Sequence, residues 1–258
     1  MNLTALLTEL RQNILRDRSN QFSGPSDQLW DDATLVSYID AAQARFARLT
    51  GILRDANTPE YCSITVTPGT DAYQLHPKVI SVLSAKFQGE NCDLARAGHK
   101  ALTTYAMPDT YFFDPGQLSN LPPGKVVAYS TDESVTADAE GSFSSVTFRV
   151  YPMPAANYNV TPIQLRVTRM PRELSLRNLM AVPEIPELHH LEMLDWAAYL
   201  ALRVGDHDAE DYKRALNFKG LFEESIDAAM KTARLKMFAP TLWGFGKNGF
   251  TWTNDSNQ

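Results

Sequence analysis

Apolar residues recur at steps of three and four near both ends of the chain, which is the spacing of one face of an α-helix. Near the N-terminal end the pattern predicts helices at Leu3–Asp17 and Asp32–Leu53, the second capped by Asp31 or Asp32. Near the C-terminal end it predicts helices at Pro183–Val204 and in the segment that stops before Pro240. Each helix carries one apolar stripe, so we expect the four to cover one another.

The helix predicted at Pro183–Val204 has the sharpest boundaries. Pro183 and Pro186 suit a first turn, which does not need their missing N–H groups. Gly205 suits the position just after the last turn. The residues expected to face a core are Ile185, Leu188, Leu191, Leu194 or Asp195, Ala198 and Leu202.

From Pro59 onward the period changes to two, and β-branched and aromatic residues become frequent, as is typical of strands. We expect Tyr61–Thr67 and Ala72–Leu75 to form a hairpin around a turn at Pro68–Gly69. A short helix is expected at Leu94–Tyr105. The other predicted strands are Lys78–Phe87, Asp109–Asp114, Lys125–Thr131, Phe143–Tyr151 and Val160–Arg169.

The order of these elements, helices then strands then helices, predicts an α+β protein. We expect a helical bundle made from residues 1–58 and 175–238, the N- and C-terminal segments. A mainly antiparallel β domain is expected to be inserted between them at residues 59–174. Residues 239–258 are expected to form an extended C-terminal tail.

The C-terminal tail is rich in aromatic residues and glycines. The glycines disfavour a helix, and the segment is too short to enclose a core of its own. Aromatic anchors on a flexible strand suit docking onto another surface, a neighbouring subunit or a partner, although the tail could also pack back on its own β domain. The residues expected to bind a partner are Phe238, Trp243, Phe245, Phe250 and Trp252.

Composition and charge are ordinary for a globular protein of 258 residues. The formal net charge of −6 and the lack of a Lys or Arg cluster argue against a dedicated nucleic-acid-binding protein. Cys62 and Cys92 are expected to be buried or half-buried thiols in a reducing compartment. No apolar run is long enough to span a membrane, and the polar, amphipathic N-terminal segment is not a signal peptide.

No motif predicts a catalytic residue, a cofactor or a metal. Gly244, Gly246 and Gly249 match GxGxxG, but the dinucleotide fold needs a strand before this motif and a helix after it. His189 and Glu192 can share a helix face, yet the metal motif HExxH is absent, so His189, His190 and Glu192 are expected to be surface or subunit-contact residues.

Four acidic residues and no basic residue occupy the predicted loop at 132–141, without the spacing of a calcium loop. The acids Asp132, Glu133, Asp138 and Glu140 are therefore expected to be solvated.

Five segments in a fixed order resemble the head-to-tail adaptor proteins of short-tailed bacteriophages. They are LWDDATLVSYIDAAQARFARL at 29–49, YCSITVTPGTDAYQLHPKVISVLSAKFQGENCDL at 61–94, PDTYFFD at 108–114, FRVYPMPAANYNVTPIQLRVTRMPREL at 148–174 and IPELHHLEMLDWAAYLAL at 185–202. The region 115–147 is usually shorter in the family, so the acidic loop looks like an insertion. The tail after Pro240 lies beyond the resemblance.

The resemblance implies a structural virion protein and not an enzyme. Such adaptors form a ring, commonly of twelve copies, beneath the portal protein and join it to the tail nozzle or tail fibre proteins. Double-stranded DNA passes through the ring without specific binding, and no membrane is involved. The implied location is the neck of the virion, after assembly in the cytoplasm of the bacterial host.

An alternative function is a carbohydrate- or ligand-binding β module of a tail-associated protein. Tyr111, Phe112 and Phe113 would then stack against the ligand. Because successive strand residues point to opposite faces, only Tyr111 and Phe113 can share one face. A deep polar pocket in the β domain would favour this alternative.

Overall fold

The computed structural model describes residues 1–17, 29–97, 122–132, 136–137, 143–144, 146–155, 161–203 and 212–233. The chain divides into two compact units. The helical unit consists of Met1–Ile52 and Pro171–Gln258, and the β unit consists of Leu53–Met170. The protein is a mixed helix and sheet protein of the α+β class.

The helical unit contains four long helical segments in the part of the chain that the structure describes. They are α1 at Leu3–Glu9, which continues as a π-helical segment at Leu10–Leu15, α2 at Asp32–Thr50, α3 at His190–Arg203 and α4 at 212–233. Arg16, with φ of 59°, ends the first segment. Gly51, with φ of 58°, ends α2 by donating its N–H to the carbonyl of Ala47.

The start of α3 differs from the sequence prediction. Residues 183–186 are not helical, and α3 follows a 3-10 turn at Glu187–His189. The predicted start at Pro183 is therefore wrong. The physical reason is that the Glu184 N–H donates to the side chain of Gln43 on α2 and not within a helical turn. Pro186 instead precedes the 3-10 turn as its cap residue.

One apolar core joins the four described helical segments of the helical unit. Phe46 of α2 lies 6.1 Å from Phe222 of α4, and Trp196 of α3 lies 5.2 Å from the same ring, measured between centroids. The small side chains of α3 permit close approach of neighbouring helices. The buried residues of α3 are His190, Met193, Leu194, Ala197, Ala198, Ala201 and Leu202.

A buried arginine ties the first helical segment to the start of α2. Arg11 is 8% exposed, and its guanidinium bonds to Asp17 at 3.0 Å, to Asp32 at 2.6 Å and to the carbonyl of Trp30 at 2.9 Å. Asp31 occupies the cap position of α2, but its side chain makes no capping bond. Asp31 therefore lies at the predicted cap position but does not make the predicted capping bond. Asp32, the other predicted cap, instead accepts a hydrogen bond from Arg11.

The β unit is built mainly from two four-stranded sheets. The first sheet has β10 at its centre, paired antiparallel with β4 along one edge and with β1 and β2 along the other. Its strands are β1 at Arg54–Asp55, β2 at Ser63–Ile64, β4 at Val79–Phe87 and β10 at Ile163–Arg169. A β-bulge interrupts the β4–β10 register beside Arg166.

The second sheet has the order β3-β9-β6-β5. Its strands are β3 at Ala72–Gln74, β5 at Ala95–Arg96, β6 at Ala128–Asp132 and β9 at Thr147–Tyr151. β5 and β6 are parallel, and the other pairs are antiparallel. Beyond the β6–β9 ladder, β7 at Thr136–Ala137 pairs with β8 at Phe143–Ser144.

Two local predictions in the β unit are wrong. Pro59–Cys62 forms a helical turn, and β3 pairs with β9 and not with β2, so the expected hairpin at 61–75 does not form. The Thr67 N–H donates to the Tyr73 hydroxyl at 2.9 Å, so this N–H does not pair with a neighbouring strand. The expected helix at Leu94–Tyr105 begins with a strand, since Ala95 and Arg96 pair with β6; residues 98–105 lie outside the described part.

The inner faces of both sheets share one core, in which Tyr129 and Phe148 stack with ring centroids 5.1 Å apart. At its edge the Arg169 guanidinium donates to Asp55 at 2.8 Å, and backbone and side-chain donors hold the pKa of Asp55 well below its ordinary value despite its burial. Burial raises the pKa of the Cys62 thiol to about 11, with the Asp55 charge adding to the rise. Cys62 is therefore a packed, unreactive thiol. Cys92 is exposed, so its expected burial is wrong.

Candidate interaction surface

Six large apolar side chains are exposed along one continuous stretch of the helical unit. We call them the apolar strip, and their exposed fractions run from 40% to 77%. Met180 and Leu188 are the most exposed, at 75% and 77%. The members of the apolar strip are Leu176, Leu179, Met180, Val182, Leu188 and Leu191.

The apolar strip corrects the predicted stripe of α3. Leu188 and Leu191 keep the three-residue spacing that predicted a core position, yet both are exposed. The helix is rotated so that His190, Met193 and Leu194 face the core. Ile185 is buried as expected, although the residues around it are not helical.

Hydrogen bonds to the start of α1 hold the middle of this stretch. The Leu3 N–H donates to the carbonyl of Ala181 at 2.8 Å, and the Thr4 N–H donates to that of Leu179 at 3.1 Å. The Thr4 hydroxyl donates to the same Leu179 carbonyl at 3.0 Å. The backbone at Leu179–Ala181 is thus fixed, although it is neither helix nor strand.

A buried glutamine holds the same stretch from the other side. Gln43 of α2 is fully buried; its amide nitrogen donates to the carbonyl of Arg172 at 3.0 Å, and its amide oxygen accepts from the Glu184 N–H at 3.0 Å. Asp40, one turn earlier, accepts the Leu174 N–H at 2.7 Å. Two polar side chains of α2 therefore hold the chain just before the apolar strip and again between Val182 and Leu188.

The two histidines are core residues, which corrects their predicted surface position. His189 is 7% exposed, bonds to Glu192 at 2.6 Å and lies 5.0 Å from the Phe46 ring. His190 is buried, with its Nε2 within 2.8 Å of the Ile185 carbonyl and its Nδ1 3.0 Å from the amino group of Met1. The pairing of His189 with Glu192 is as predicted. Among the described residues, no group of three or more His, Cys, Asp or Glu could hold a metal ion.

A half-buried carboxylate lies beside this pair. Burial raises the pKa of Asp195 to about 6, and the negative charge of Glu192 adds to the rise. At the next residue, Trp196, the Arg45 guanidinium lies 3.9 Å from the centroid of the ring in a cation–π contact. The polar residues of α3 are thus engaged in packing and charge pairing within the helical unit.

The arrangement suits binding by surface complementarity. A rigid backbone that displays exposed apolar side chains loses little conformational entropy when it docks, and such patches mark protein contacts. In the part of the chain that the structure describes, no helix is long and apolar enough to cross a membrane. The apolar strip is therefore our candidate for a contact with another protein.

Four of these residues could not be predicted as contact residues, because the sequence around them has no helical or strand period. The signal was present: Leu176, Leu179, Met180 and Val182 are frequent apolar residues in a proline-flanked stretch with neither helical nor strand spacing. The predicted partner-binding residues lie outside the described residues, as do Tyr111, Phe112 and Phe113. They are Phe238, Trp243, Phe245, Phe250 and Trp252.

Comparison with protein-family models matches residues 1–242 to the family described as SU10 adaptor protein. This match spans both units of the structure and includes every residue of the apolar strip. Four of the five aromatic residues predicted to bind a partner follow its last matched residue. No curated protein matches the chain.

Proposed function

Since the chain belongs to the SU10 adaptor protein family, which is a family of phage head-to-tail adaptors, we propose that it forms a ring under the portal and connects the portal to the tail nozzle. The family match over residues 1–242 is the observation that carries this proposal. The chain is a structural phage adaptor and a component of the virion neck. We propose that the ring contains twelve copies and that the protein catalyses no reaction.

A ring needs two different surfaces on each subunit, because its contacts are heterologous and each copy meets two neighbours. The apolar strip supplies one preformed surface of this kind. Its most exposed members, Met180 and Leu188, suit the desolvated centre of a protein contact, where most of the binding energy is concentrated. We propose that the apolar strip contacts a neighbouring copy or the portal protein.

The C-terminal tail is proposed as a second contact. Its aromatic residues, from Phe238 to Trp252, are separated by glycines that leave an extended conformation accessible. Because the tail extends past the family match at residue 242, its partner can be specific to this phage. We propose that it clasps a neighbouring subunit or the portal.

The ring is proposed to line part of the channel for double-stranded DNA. A chain with a net charge of −6 repels phosphates on average, so DNA would slide through the lumen without being retained. We propose that assembly takes place in the host cytoplasm, where the reduced state of Cys62 and Cys92 is maintained.

A phage with a stop codon early in this reading frame tests the proposed function. We expect it to accumulate heads and separate tail parts without infectious particles, because the joining component is absent. Supplying the protein from a plasmid should restore infectivity. Complete, infectious particles that lack the protein would contradict the proposal.

A further inference from the structure

Arg45 of α2 stacks on an aromatic ring and keeps an unsatisfied hydrogen-bond donor. Its guanidinium lies 3.9 Å from the centroid of the Trp196 ring on α3. The Nε of Arg45 is buried and has no hydrogen-bond partner among the described residues. A guanidinium carries its N–H donors around its edge, so stacking on a ring leaves them able to bind a carboxylate or a phosphate.

Arg48, one turn further along α2, is a second cation without an acidic partner. It is exposed, and neither Arg45 nor Arg48 forms an ion pair with another described residue. α2 has no acidic residue after Asp40, which accepts the N–H of Leu174. Of the two carboxylates of α3, Glu192 is bonded to His189, and Asp195 has a raised pKa to which no arginine contributes. These two arginines are therefore available to a partner outside the helical unit.

Two carboxylates on α4 have the same three-residue spacing as these arginines. Glu224 and Asp227 are exposed, and neither forms an ion pair with another described residue; the ion pair within α4 joins Lys219 to Glu223. At 3.6 residues per turn, Glu224 and Asp227 lie on the side of α4 that faces away from the core. The buried residues that define the core side of α4 are Ala215, Phe222, Ile226 and Ala229.

A glycine on the same outer side of α4 leaves room for a close neighbour. Gly220 lies one turn before Glu224, is exposed, and a Cβ built there would meet no atom within 4 Å. Glycine weakens the interior of a helix, and no packing contact of the described residues requires one at this position. A helix of another molecule can approach the backbone of α4 closely here, because no side chain stands between them.

We propose that α4 of one copy packs against α2 of the next copy in the ring, with Glu224 bound to Arg45 and Asp227 bound to Arg48. The inference rests on the proposed ring, whose heterologous contacts need two unlike surfaces on each subunit. The basic surface of α2 and the acidic surface of α4 are such a pair. Opposite charge steers the two copies together, and like charge disfavours the pairing of α2 with α2 or of α4 with α4.

The two ion pairs fix a register that the small residues also fit. With the helices parallel, Arg45 opposite Glu224 brings Ala41 opposite Gly220, since each lies four residues earlier on its own helix. Ala41 is exposed, so two small residues meet where the helices come closest.

A second copy fits this surface better than a nucleic acid does. Binding to DNA depends on many phosphate contacts, and α2 offers two arginines in a chain whose net charge is −6. The carboxylates of α4, by contrast, match the arginines in number and spacing.

Charge exchange tests the contact in a mixture of purified protein and portal rings. Arg45→Glu with Arg48→Glu reverses the surface of α2, and Glu224→Arg with Asp227→Arg reverses that of α4. Each reversed pair should raise the protein concentration needed to fill the ring by at least about tenfold. The fourfold variant should recover most of the loss, because the two pairs then attract each other again.

Two further sets of variants guard the charge test. Lys86→Glu with Arg166→Glu, at exposed positions of the β unit, changes the net charge as much as the α2 pair and should leave ring filling unchanged. If Arg45→Glu prevents folding by circular dichroism, because the stack on Trp196 is lost, Arg48→Glu is used alone. It should weaken assembly, and adding Asp227→Arg should restore it.

Disulfide trapping tests the register. In a Cys92→Ser background, which removes the exposed thiol, a population with Ala41→Cys is mixed with one carrying Gly220→Cys, assembled on the portal and oxidised. We expect a cross-linked dimer in the mixture and far less in either population alone. Lys231→Cys in place of Gly220→Cys should cross-link far less, since it lies 11 residues, or about 16 Å, further along α4.

The outcomes separate this inference from the proposed function. If the unmodified protein builds no ring on the portal, the proposed function itself fails and the helix contact falls with it. If the protein builds a ring that tolerates both reversals, or if the fourfold variant stays as weak as either pair, only the helix contact is overturned. Reversal of the arginines that abolishes binding to a short DNA duplex and leaves ring filling unchanged would assign them to nucleic acid and also overturn it.

Discussion

Gln43 holds the chain segment that carries the apolar strip, and replacing Gln43 measures how much its hydrogen bonds stabilise the protein. Gln43→Leu removes both bonds and leaves the Arg172 carbonyl and the Glu184 N–H without their partner. We expect the free energy of unfolding to fall by about 1–3 kcal/mol, the cost of leaving such groups unsatisfied. Urea denaturation measures the loss, and hydrogen exchange should show faster exchange at the Glu184 amide.

Arg48→Leu, on the exposed side of the same helix, provides the matched control. It should change the unfolding free energy by less than about 0.5 kcal/mol. Equal stability of the two variants, with unchanged exchange at Glu184, would show that Gln43 does not hold this stretch.

Asp195 gives a prediction about pH. Burial and the negative charge of Glu192 raise its pKa in the folded protein to about 6, above the ordinary value of 3.8. At a pH between these two pKa values, the folded state therefore binds a proton that the unfolded state has released. The cost of burying the charge is therefore present above about pH 6 and disappears as the pH falls below about 4. Asp195→Asn should stabilise the protein at pH 7.5 by about 1 kcal/mol, a figure reduced for the solvent screening of a half-exposed group.

Urea midpoints of the Asp195→Asn variant and the unmodified protein, compared at pH 7.5 and pH 4, check this expectation. The stabilisation should be confined to the higher pH. An equal gain at both pH values would assign the effect to packing and not to the buried charge.

For His189 and Glu192 the sequence predicted the pairing correctly, but it predicted the burial of the two histidines wrongly. The spacing of His189 and Glu192 correctly predicted that they could pair on one helix face. It could not show that both His189 and His190 are buried, because the rotation of α3 depends on contacts with Phe46 and the Ile185 carbonyl, which lie on other parts of the chain. Periodicity describes a stripe but does not decide which stripe faces inward.

The apolar strip is the surface element on which the proposed contact depends. Met180→Ser with Leu188→Ser should leave the unfolding free energy nearly unchanged, because both side chains are already exposed. Binding to portal rings should weaken by at least about tenfold, since anchors at the centre of an interface each contribute more than about 1 kcal/mol. Sedimentation of the protein with portal rings over a concentration series measures the change.

Leu216→Ser with Leu221→Ser supplies a matched control, because these leucines of α4 are exposed at 45% and 44% and lie outside the apolar strip. The control should bind portal rings normally. If both double variants bind as well as the unmodified protein, the apolar strip is not the contact surface.

Elements with a clean period were predicted well. The alternation in Lys78–Phe87 and Val160–Arg169 predicted β4 and β10, because one face of each strand packs on the core. The hairpin expected at 61–75 failed because side-chain bonds, such as that from the Thr67 N–H to Tyr73, replaced the ladder. The start of α3 failed because Gln43, distant in sequence, took the Glu184 N–H. Such tertiary bonds leave no local pattern.

For the whole molecule, removal of the C-terminal tail separates folding from assembly. In the part of the chain that the structure describes, the core residues of the helical unit run from Leu3 to Ala229, and truncation after Phe238 leaves all of these in place. We expect the truncated protein to fold, with a thermal midpoint within about 3 °C of the full chain, a change expected for a small effect on stability. It should bind portal rings poorly. Normal assembly by the truncated chain would rule out docking by the tail.

The most direct test of the account is electron microscopy of portal rings mixed with the purified protein. A structural adaptor should add a closed layer of copies to one end of each portal ring, twelve in number under the proposed stoichiometry, with an open central channel. Portal rings that stay bare at saturating protein, or that carry scattered copies without a closed layer, would contradict the proposed head-to-tail connection.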